Sequence, residues 1–303
     1  MRAQEPGRIY RLGMITGAPR ASPRMVAFFD ELKVLGFVEG QNLKIVAGGF
    51  DLREGQFADV AATLARETPD VVFCVSDTAT RATVEATRNI PIVALSVDLV
   101  AAGFAHSLAH PGGNVTGVSI LAPELNSKWQ EILMDAVPNV RRMAVLAELT
   151  STPAGALQIL QNAARARGVE LMVFTAGARD EIAPAIDNAK TSGAGALNVL
   201  TAPLFSFNRR IIIERAAVQR LPAIYEWPEM AEEGGLIAYG PRLPLIYRQM
   251  ARLMAKALRG DHPESLPSEQ PTNFDLVINL KTAEALGLTL PETLLVRANK
   301  LIE

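Results

Sequence analysis

Cysteine is nearly absent. The 303-residue chain has one, Cys74, which excludes an internal disulfide and any multi-cysteine metal knuckle. It sits in the apolar run "DVVFCVS", where a thiol packs as a small hydrophobe. Histidine is scarce too: His106, His110 and His262. His106 and His110 stand four apart in "HSLAHPGGN", a spacing that can bind zinc from a helix face. No third ligand is near, so the segment reads as a solvated helix end closed by Pro111-Gly112-Gly113. Neither a metal nor a cofactor is expected.

Charge of one sign is also missing. Lys+Arg 30 against Asp+Glu 32 leaves a formal charge of -2, without the basic footprint that neutralises phosphates, so nucleic acid is excluded as a partner. No apolar run reaches the ~18 residues of a membrane span. The opening "MRAQEPGRIYRLGMIT" interposes Arg2, Gln4, Glu5 and Arg8 where a signal peptide would carry its apolar region. A cytoplasmic protein and an exported chain already without its leader both fit. Enzyme signatures are lacking as well. "GMITGAPRAS" has only Gly13 and Gly17, too few for a dinucleotide loop, and neither a Walker sequence nor a G-x-S-x-G elbow occurs.

What is present is a rhythm. Apolar, β-branched runs at 9–16, 42–50, 70–76, 91–97 and 114–120 read as strands. Amphipathic segments at 22–37, 55–67 and 78–88 read as helices between them. The first helix starts at Ser22-Pro23, repeats apolar residues at Met25, Phe28, Phe29, Leu32 and Leu35, and stops at Gly36. The pattern then recurs. Strands are expected at 141–148, 169–177, 195–201, 222–227 and 235–240, with helices at 123–137, 153–167, 179–192 and 206–220. Near-continuous apolar strands alternating with helices imply parallel sheets covered on both faces.

The class is therefore α/β, with two doubly wound, Rossmann-like parallel-sheet lobes. After Gly240 come a helix at 244–259, the Pro-rich "GDHPESLPSEQPT", a strand at 274–280 and closing helical segments. This tail is too short for a third lobe and must complete the other two. The first lobe is expected to hold 8–119 plus about 241–265, and the second 120–240 plus about 270–303, joined by a hinge that the chain crosses more than once. Open α/β sheets bind ligands beyond the carboxyl ends of their strands, so the expected site is a cleft between the lobes. Thr16, Ser76, Asp77, Thr78, Asp98 and Thr201 stand at those ends. Each alone reads equally as a helix cap or turn residue. Pro203, Tyr225 and Trp227, with Phe205 and Phe207, are candidate apolar walls for a ring-bearing or branched ligand.

Three blocks carry a resemblance: "ELKVLGFVEGQNLKI", "NIPIVALSVDLVAAGFAHSLAHPGGNVTGVS" and "EQPTNFDLVINLKTAEALGLTLP". Together they resemble, from about residue 9 to 291, the ABC transporter substrate-binding proteins that include the bacterial tryptophan/tyrosine-binding periplasmic proteins. The resemblance implies a type I periplasmic-binding fold, two lobes joined by a hinge of three crossings, that encloses its ligand by hinge closure. It further implies a non-enzymatic role, export to the periplasm with or without a lipid anchor, and delivery by a monomer to an ABC permease.

In amino-acid-binding relatives, an Asp two residues after the Gly ending the second lobe's last strand looks to be the partner of the ligand ammonium. Counting back from "YRQ" (247–249), that position is Arg242. A guanidinium in place of a carboxylate reverses the charge preference and favours a small aromatic or branched aliphatic carboxylate over a free amino acid. The alternative for Arg242 is a pair with Glu226 or Glu229. Three other readings stay open: an amino-acid-binding member of the family, a ligand-sensing module of the lactose-repressor type, and a cytoplasmic α/β enzyme.

Overall fold

The computed structural model describes residues 7–46, 49–120, 122–152 and 155–303. The expected passage of the second strand through Ala47 and Gly48, the start of the helix expected at 153, and Arg2, Gln4 and Glu5 lie outside the described residues.

The chain begins with β1 (Tyr10–Ile15), α1 (Pro23–Val34), β2 (Leu43–Ile45), α2 (Phe57–Glu67), β3 (Val71–Val75), α3 (Asp77–Ala86), β4 (Ile92–Ser96) and β5 (Val115–Ser119). It continues through α4 (Ala122–Ala136), β6 (Arg142–Ala147), α5 (Ala156–Ala166), β7 (Glu170–Thr175), α6 (Ile182–Thr191) and β8 (Ala196–Val199). Next come α7 (Pro203–Phe207), α8 (Arg209–Val218), β9 (Ala223–Tyr225), α9 (Pro228–Glu232) and β10 (Ile237–Gly240). It ends with α10 (Leu243–Leu258), β11 (Asp275–Asn279), α11 (Leu280–Leu286), α12 (Glu292–Leu295) and β12 (Lys300–Ile302). Two compact units result. One comprises Met1–Ile120 with Leu243–Pro271, the other Leu121–Arg242 with Thr272–Glu303.

The first unit carries a five-stranded sheet in the order β2-β1-β3-β4-β5, parallel throughout. Every residue of β3, β4 and β5 is buried, as expected for strands covered on both faces. Helix α1 has Pro23 at its first position and turns Met25, Phe28 and Leu32 inward, while Val34 is exposed. It packs beside α10, where Arg252 pairs with Glu31 at 3.2 Å and Arg259 donates to the Leu35 carbonyl at 2.7 Å. Gly117 in β5 permits a close approach to β4, since a Cβ there would collide with the Ala94 backbone.

The second unit carries seven strands in the order β12-β11-β10-β9-β8-β6-β7. All neighbours are parallel except β10 and β11, which pair antiparallel from Ile237↔Ile278 to Gly240↔Asp275. The all-parallel expectation is corrected here: a single loop-and-helix return from the first unit brings β11 in against the direction of its neighbour. Helix α4 lies over β8 and β9, and its Trp129 is fully buried, donating to the Tyr239 carbonyl of β10.

His106 and His110 are not on a helix. They sit in an irregular turn in which the His106 N–H donates to the Pro111 carbonyl and a Cβ on Gly112 would strike the His106 ring. Among the described residues no cluster of His, Cys, Asp and Glu could hold a metal ion, and no helix is long and apolar enough to cross a membrane. Cys74 is buried, and that burial pushes its thiol up to about 12.

Candidate functional site

In the first unit the polar residues gather where β3 and β4 end. Ser76, between β3 and α3, has φ 112° and ψ 156°, a conformation that costs a non-glycine residue about 1–3 kcal/mol and collects at ligand clamps. Several bonds hold it there. Its N–H donates to the Leu95 carbonyl at 3.1 Å, its hydroxyl accepts the Ala79 N–H at 3.1 Å, and its carbonyl accepts the Thr80 hydroxyl at 2.8 Å. The next residue, Asp77, accepts the Ser96 hydroxyl at 2.5 Å. Burial raises the Asp77 pKa, and the Asp98 charge adds to this. The Ser96 hydroxyl, the Val97 N–H and Arg81 partly offset the rise.

The other expected residues of this unit do local work. Asp98 accepts the N–H groups of Val100 and Ala101, both at 3.0 Å, closing a turn. Thr16 is fully buried, and its hydroxyl accepts the Ala18 N–H at 3.0 Å. Thr78 lies exposed in the first turn of α3. Ser96 was not singled out in the sequence, because a serine inside an apolar run carries no signal of its own.

In the second unit the strand ends bear a different set. Thr201, Glu226 and Trp227 are all at least nine-tenths buried. The Thr201 hydroxyl, Glu226 Oε1 and Trp227 Nε1 each lack a hydrogen-bond partner among the described residues. The Thr201 hydroxyl lies close enough to the Glu226 carboxyl to ease its ionisation, although the geometry between them falls short of a well-formed hydrogen bond. Burial dominates, and the Glu226 carboxyl is pushed up to about 8. One strand inward on β8, Asn198, in register with Ile224, is fully buried with neither amide atom bonded. Buried polar groups are almost always satisfied, each miss costing about 1–3 kcal/mol. Thr201, Glu226 and Trp227 are therefore the candidate ligand-contacting residues of this unit.

Glycine positions this edge. A Cβ at Gly240, the end of β10, would run into the Glu226 carbonyl oxygen. Pro203 opens the short helix α7, with Phe205 buried behind it and Phe207 half-buried. Tyr225 does not join the row. Its ring lies where a Cβ on Gly235 would sit, and it borders a separate cavity of about 260 Å³ with Ile213, Leu236 and Thr282. Burial raises its phenol pKa above the ordinary tyrosine value.

Arg242 is already engaged. Its Nε donates to Asp275 at 2.6 Å and its Nη1 to Glu232 at 3.0 Å, while Lys300 reaches the same Glu232 at 2.8 Å. The carboxylates expected for the paired alternative, Glu226 and Glu229, are replaced by Glu232 and Asp275. Two cations and two anions balance, so this cluster presents no free positive charge.

Glu226 is the residue that sequence reasoning passed over except as a partner for Arg242. The available signal was an acid closing an apolar strand in "PAIYEWP". That its buried Oε1 has no hydrogen-bond partner among the described residues is a tertiary property that no local pattern displays.

Two α/β units, one with an all-parallel sheet and one parallel except for the β10–β11 pair, define the type I periplasmic-binding fold. The family of ABC transporter substrate binding proteins matches residues 23–302, and the chain belongs to it. These are solute-binding proteins, not enzymes. A tyrosine-binding protein of Clostridioides difficile (strain R20291) is 24% identical over 267 residues, covering 86% of this chain and 75% of the relative. The crystal structure of a conserved domain protein from Vibrio cholerae superposes with a TM-score of 0.86 at 27% identity, covering 98% of this chain and all of the other. The ABC domain solved in complex with L-Trp from Streptococcus pneumonia has a TM-score of 0.84 at 22% identity, over 98% of this chain and all of that one.

Proposed function

We propose that the chain captures a small carboxylate-bearing solute with an aromatic or branched aliphatic body in the periplasm and, as a monomer, delivers it to an ABC permease. The observation that carries this reading is the row of buried, unfilled polar atoms on Thr201, Glu226 and Trp227. Trp227 offers an N–H donor beside an apolar ring, a combination suited to holding a small amphipathic ligand. In the first unit the strained, heavily bonded Ser76 and the adjoining Asp77 are the corresponding candidates, with Thr16, Thr78 and Asp98 shaping their turns. The relatives' ligands, tyrosine and L-Trp, are of the size this reading requires. Arg242 enters as a structural clamp within its own unit, because two carboxylates already hold it.

The test is thermal unfolding against a panel of amino acids and of aromatic and branched aliphatic acids. A ligand at 100 times its Kd adds about 2.7 kcal/mol and lifts the midpoint by a few degrees. A panel that leaves the midpoint unmoved at millimolar concentration sinks the proposal. Small-angle scattering with the best ligand addresses hinge closure, which predicts a smaller radius of gyration on binding.

A further inference from the structure

The cavity beside Tyr225 lies wholly within the second unit, walled by α8, the turn before β10 and α11, and none of Thr201, Glu226 and Trp227 lines it. Ile213, Ala216, Leu221 and Leu286 supply apolar surface. One polar group is shut in with them. Tyr225 is 1% exposed, and its hydroxyl makes no hydrogen bond among the described residues. A buried hydroxyl almost always finds a partner, and each miss costs about 1–3 kcal/mol. Burial, the one cause of its raised pKa, keeps the phenol neutral, so it has a proton to donate to an acceptor.

The rim of this cavity has a sign. Arg220 and Lys281 line it, both exposed, and no aspartate or glutamate does. Lys281 has neither an ion pair nor a hydrogen bond from its side chain among the described residues, and Arg220 spends one donor on the Ala285 carbonyl at 3.3 Å. Arg220 also holds an unusual position. Helix α8 closes with the Leu221 N–H on the Ala216 carbonyl at 2.9 Å and the Arg220 N–H on the Ala217 carbonyl at 3.0 Å, a helix end whose left-handed residue is usually glycine. Arg220 takes that place at φ 49°, so a guanidinium is kept where glycine would relieve the backbone. Size narrows the occupant. An apolar void of about 150 Å³ takes up benzene, so one of about 260 Å³ holds a single ring with substituents. A rigid ring also loses less freedom on binding than a chain of equal volume. We infer that this cavity is a further binding site, for a small aromatic carboxylate whose ring lies among the apolar walls. Its carboxylate meets Arg220 and Lys281, and an oxygen substituent on the ring accepts from Tyr225. The inference does not depend on the proposed function, since the two sets share no residue.

The experiment titrates 4-hydroxybenzoate into the whole chain carrying carbon-13 in its tyrosine rings, with the four tyrosine signals assigned by single Tyr→Phe variants. The expected result is a saturating shift of the Tyr225 signal. 4-Methylphenol, which lacks the charge, and protonated 4-hydroxybenzylamine, which carries the opposite one, should bind about fivefold more weakly or worse, the weight of one exposed charge pair. Lys281→Glu should weaken 4-hydroxybenzoate by at least as much. Ala217→Trp and Ala285→Trp replace exposed lining residues, leave the core alone and should each block the shift. A Tyr225 signal that stays unmoved up to the solubility limit, an amine that binds as well as the carboxylate, or a shift that survives both tryptophan variants would overturn the inference. The same variants separate it from the proposed function: thermal stabilisation that they retain belongs to the strand-end set, and stabilisation that they lose belongs to this cavity.

Discussion

Arg242 donates to Asp275 at 2.6 Å, across the antiparallel junction at which Gly240 of β10 faces Asp275 of β11. With Glu232 and Lys300 this makes a four-charge cluster that ties the last two strands and α9 together. The groups are about one-quarter to one-half exposed, so solvent screens them and each pair is worth no more than about 1 kcal/mol.

Arg242→Ala should thus lower Tm by a few degrees yet leave ligand-induced stabilisation in place. Burial raises the Glu232 pKa, but the hydrogen bonds from Lys300 and Arg242 outweigh it and leave the value lowered. A lowered carboxyl contributes stability that is present above its unfolded value and lost as pH falls through the folded one. The variant should consequently lose less stability than the parent on acidification below about pH 5. Equal losses in both proteins, or a lost ligand response in the variant, would contradict the clamp role.

Gly240→Ala places a Cβ against the Glu226 carbonyl oxygen, a backbone atom that cannot rotate away. Overpacking of this kind costs about 1–3 kcal/mol. Because the atom that must yield belongs to Glu226, the affinity for the ligand should fall along with the urea midpoint. A variant of parental stability and affinity would show that the two strand ends separate freely.

Much of this architecture is legible locally. The runs at 9–16, 70–76, 91–97 and 114–120 bracket β1, β3, β4 and β5, because a strand buried on both faces is written as an unbroken apolar string. The spacing of Met25, Phe28 and Leu32 locates α1 for an equally local reason. What escaped depends on partners distant in sequence. Strand β12 is the three-residue segment Lys300–Ile302, a strand only because Val277–Asn279 offers it an edge, and the direction of β11 is set by the route of its return. His106 and His110 look helical by spacing, yet the turn through Pro111 claims them. The site divided the same way. Ser76 and Thr201 are visible as strand-end residues, whereas the partners that Arg242 takes, Glu232 and Asp275, and the burial of Glu226 are properties of the folded chain.

Ser76 separates two effects that usually travel together. Its hydroxyl caps α3, and its backbone occupies a region that glycine adopts more easily. Ser76→Ala loses the cap, about 1 kcal/mol, and keeps the strain. Ser76→Gly also loses the cap but relieves the strain. The glycine variant is expected to be the more stable of the two by about 1 kcal/mol, read as a higher urea midpoint at unchanged m-value. The reverse order would mean that the surrounding bonds to Leu95 and Thr80, and not the backbone, set the energy of this turn.

Glu226 makes the stability of the ligand-free protein depend on pH. Its carboxyl titrates near 8 in the fold against an ordinary value of 4.5 in the unfolded chain. Between those values the folded protein keeps a proton that the unfolded chain has released, so raising the pH favours unfolding. The stability contributed by the neutral acid is present in full below about pH 4.5, declines as pH rises, and is exhausted just above 8. The total is on the order of a few kcal/mol, as follows from about 1.4 kcal/mol per unit of displacement. Glu226→Gln cannot ionise and should show a flatter profile between pH 5 and 8, its advantage over the parent growing toward pH 8. Urea titrations at half-unit pH intervals on parent and variant measure the difference. Parallel profiles for parent and variant would show that water already reaches the carboxyl.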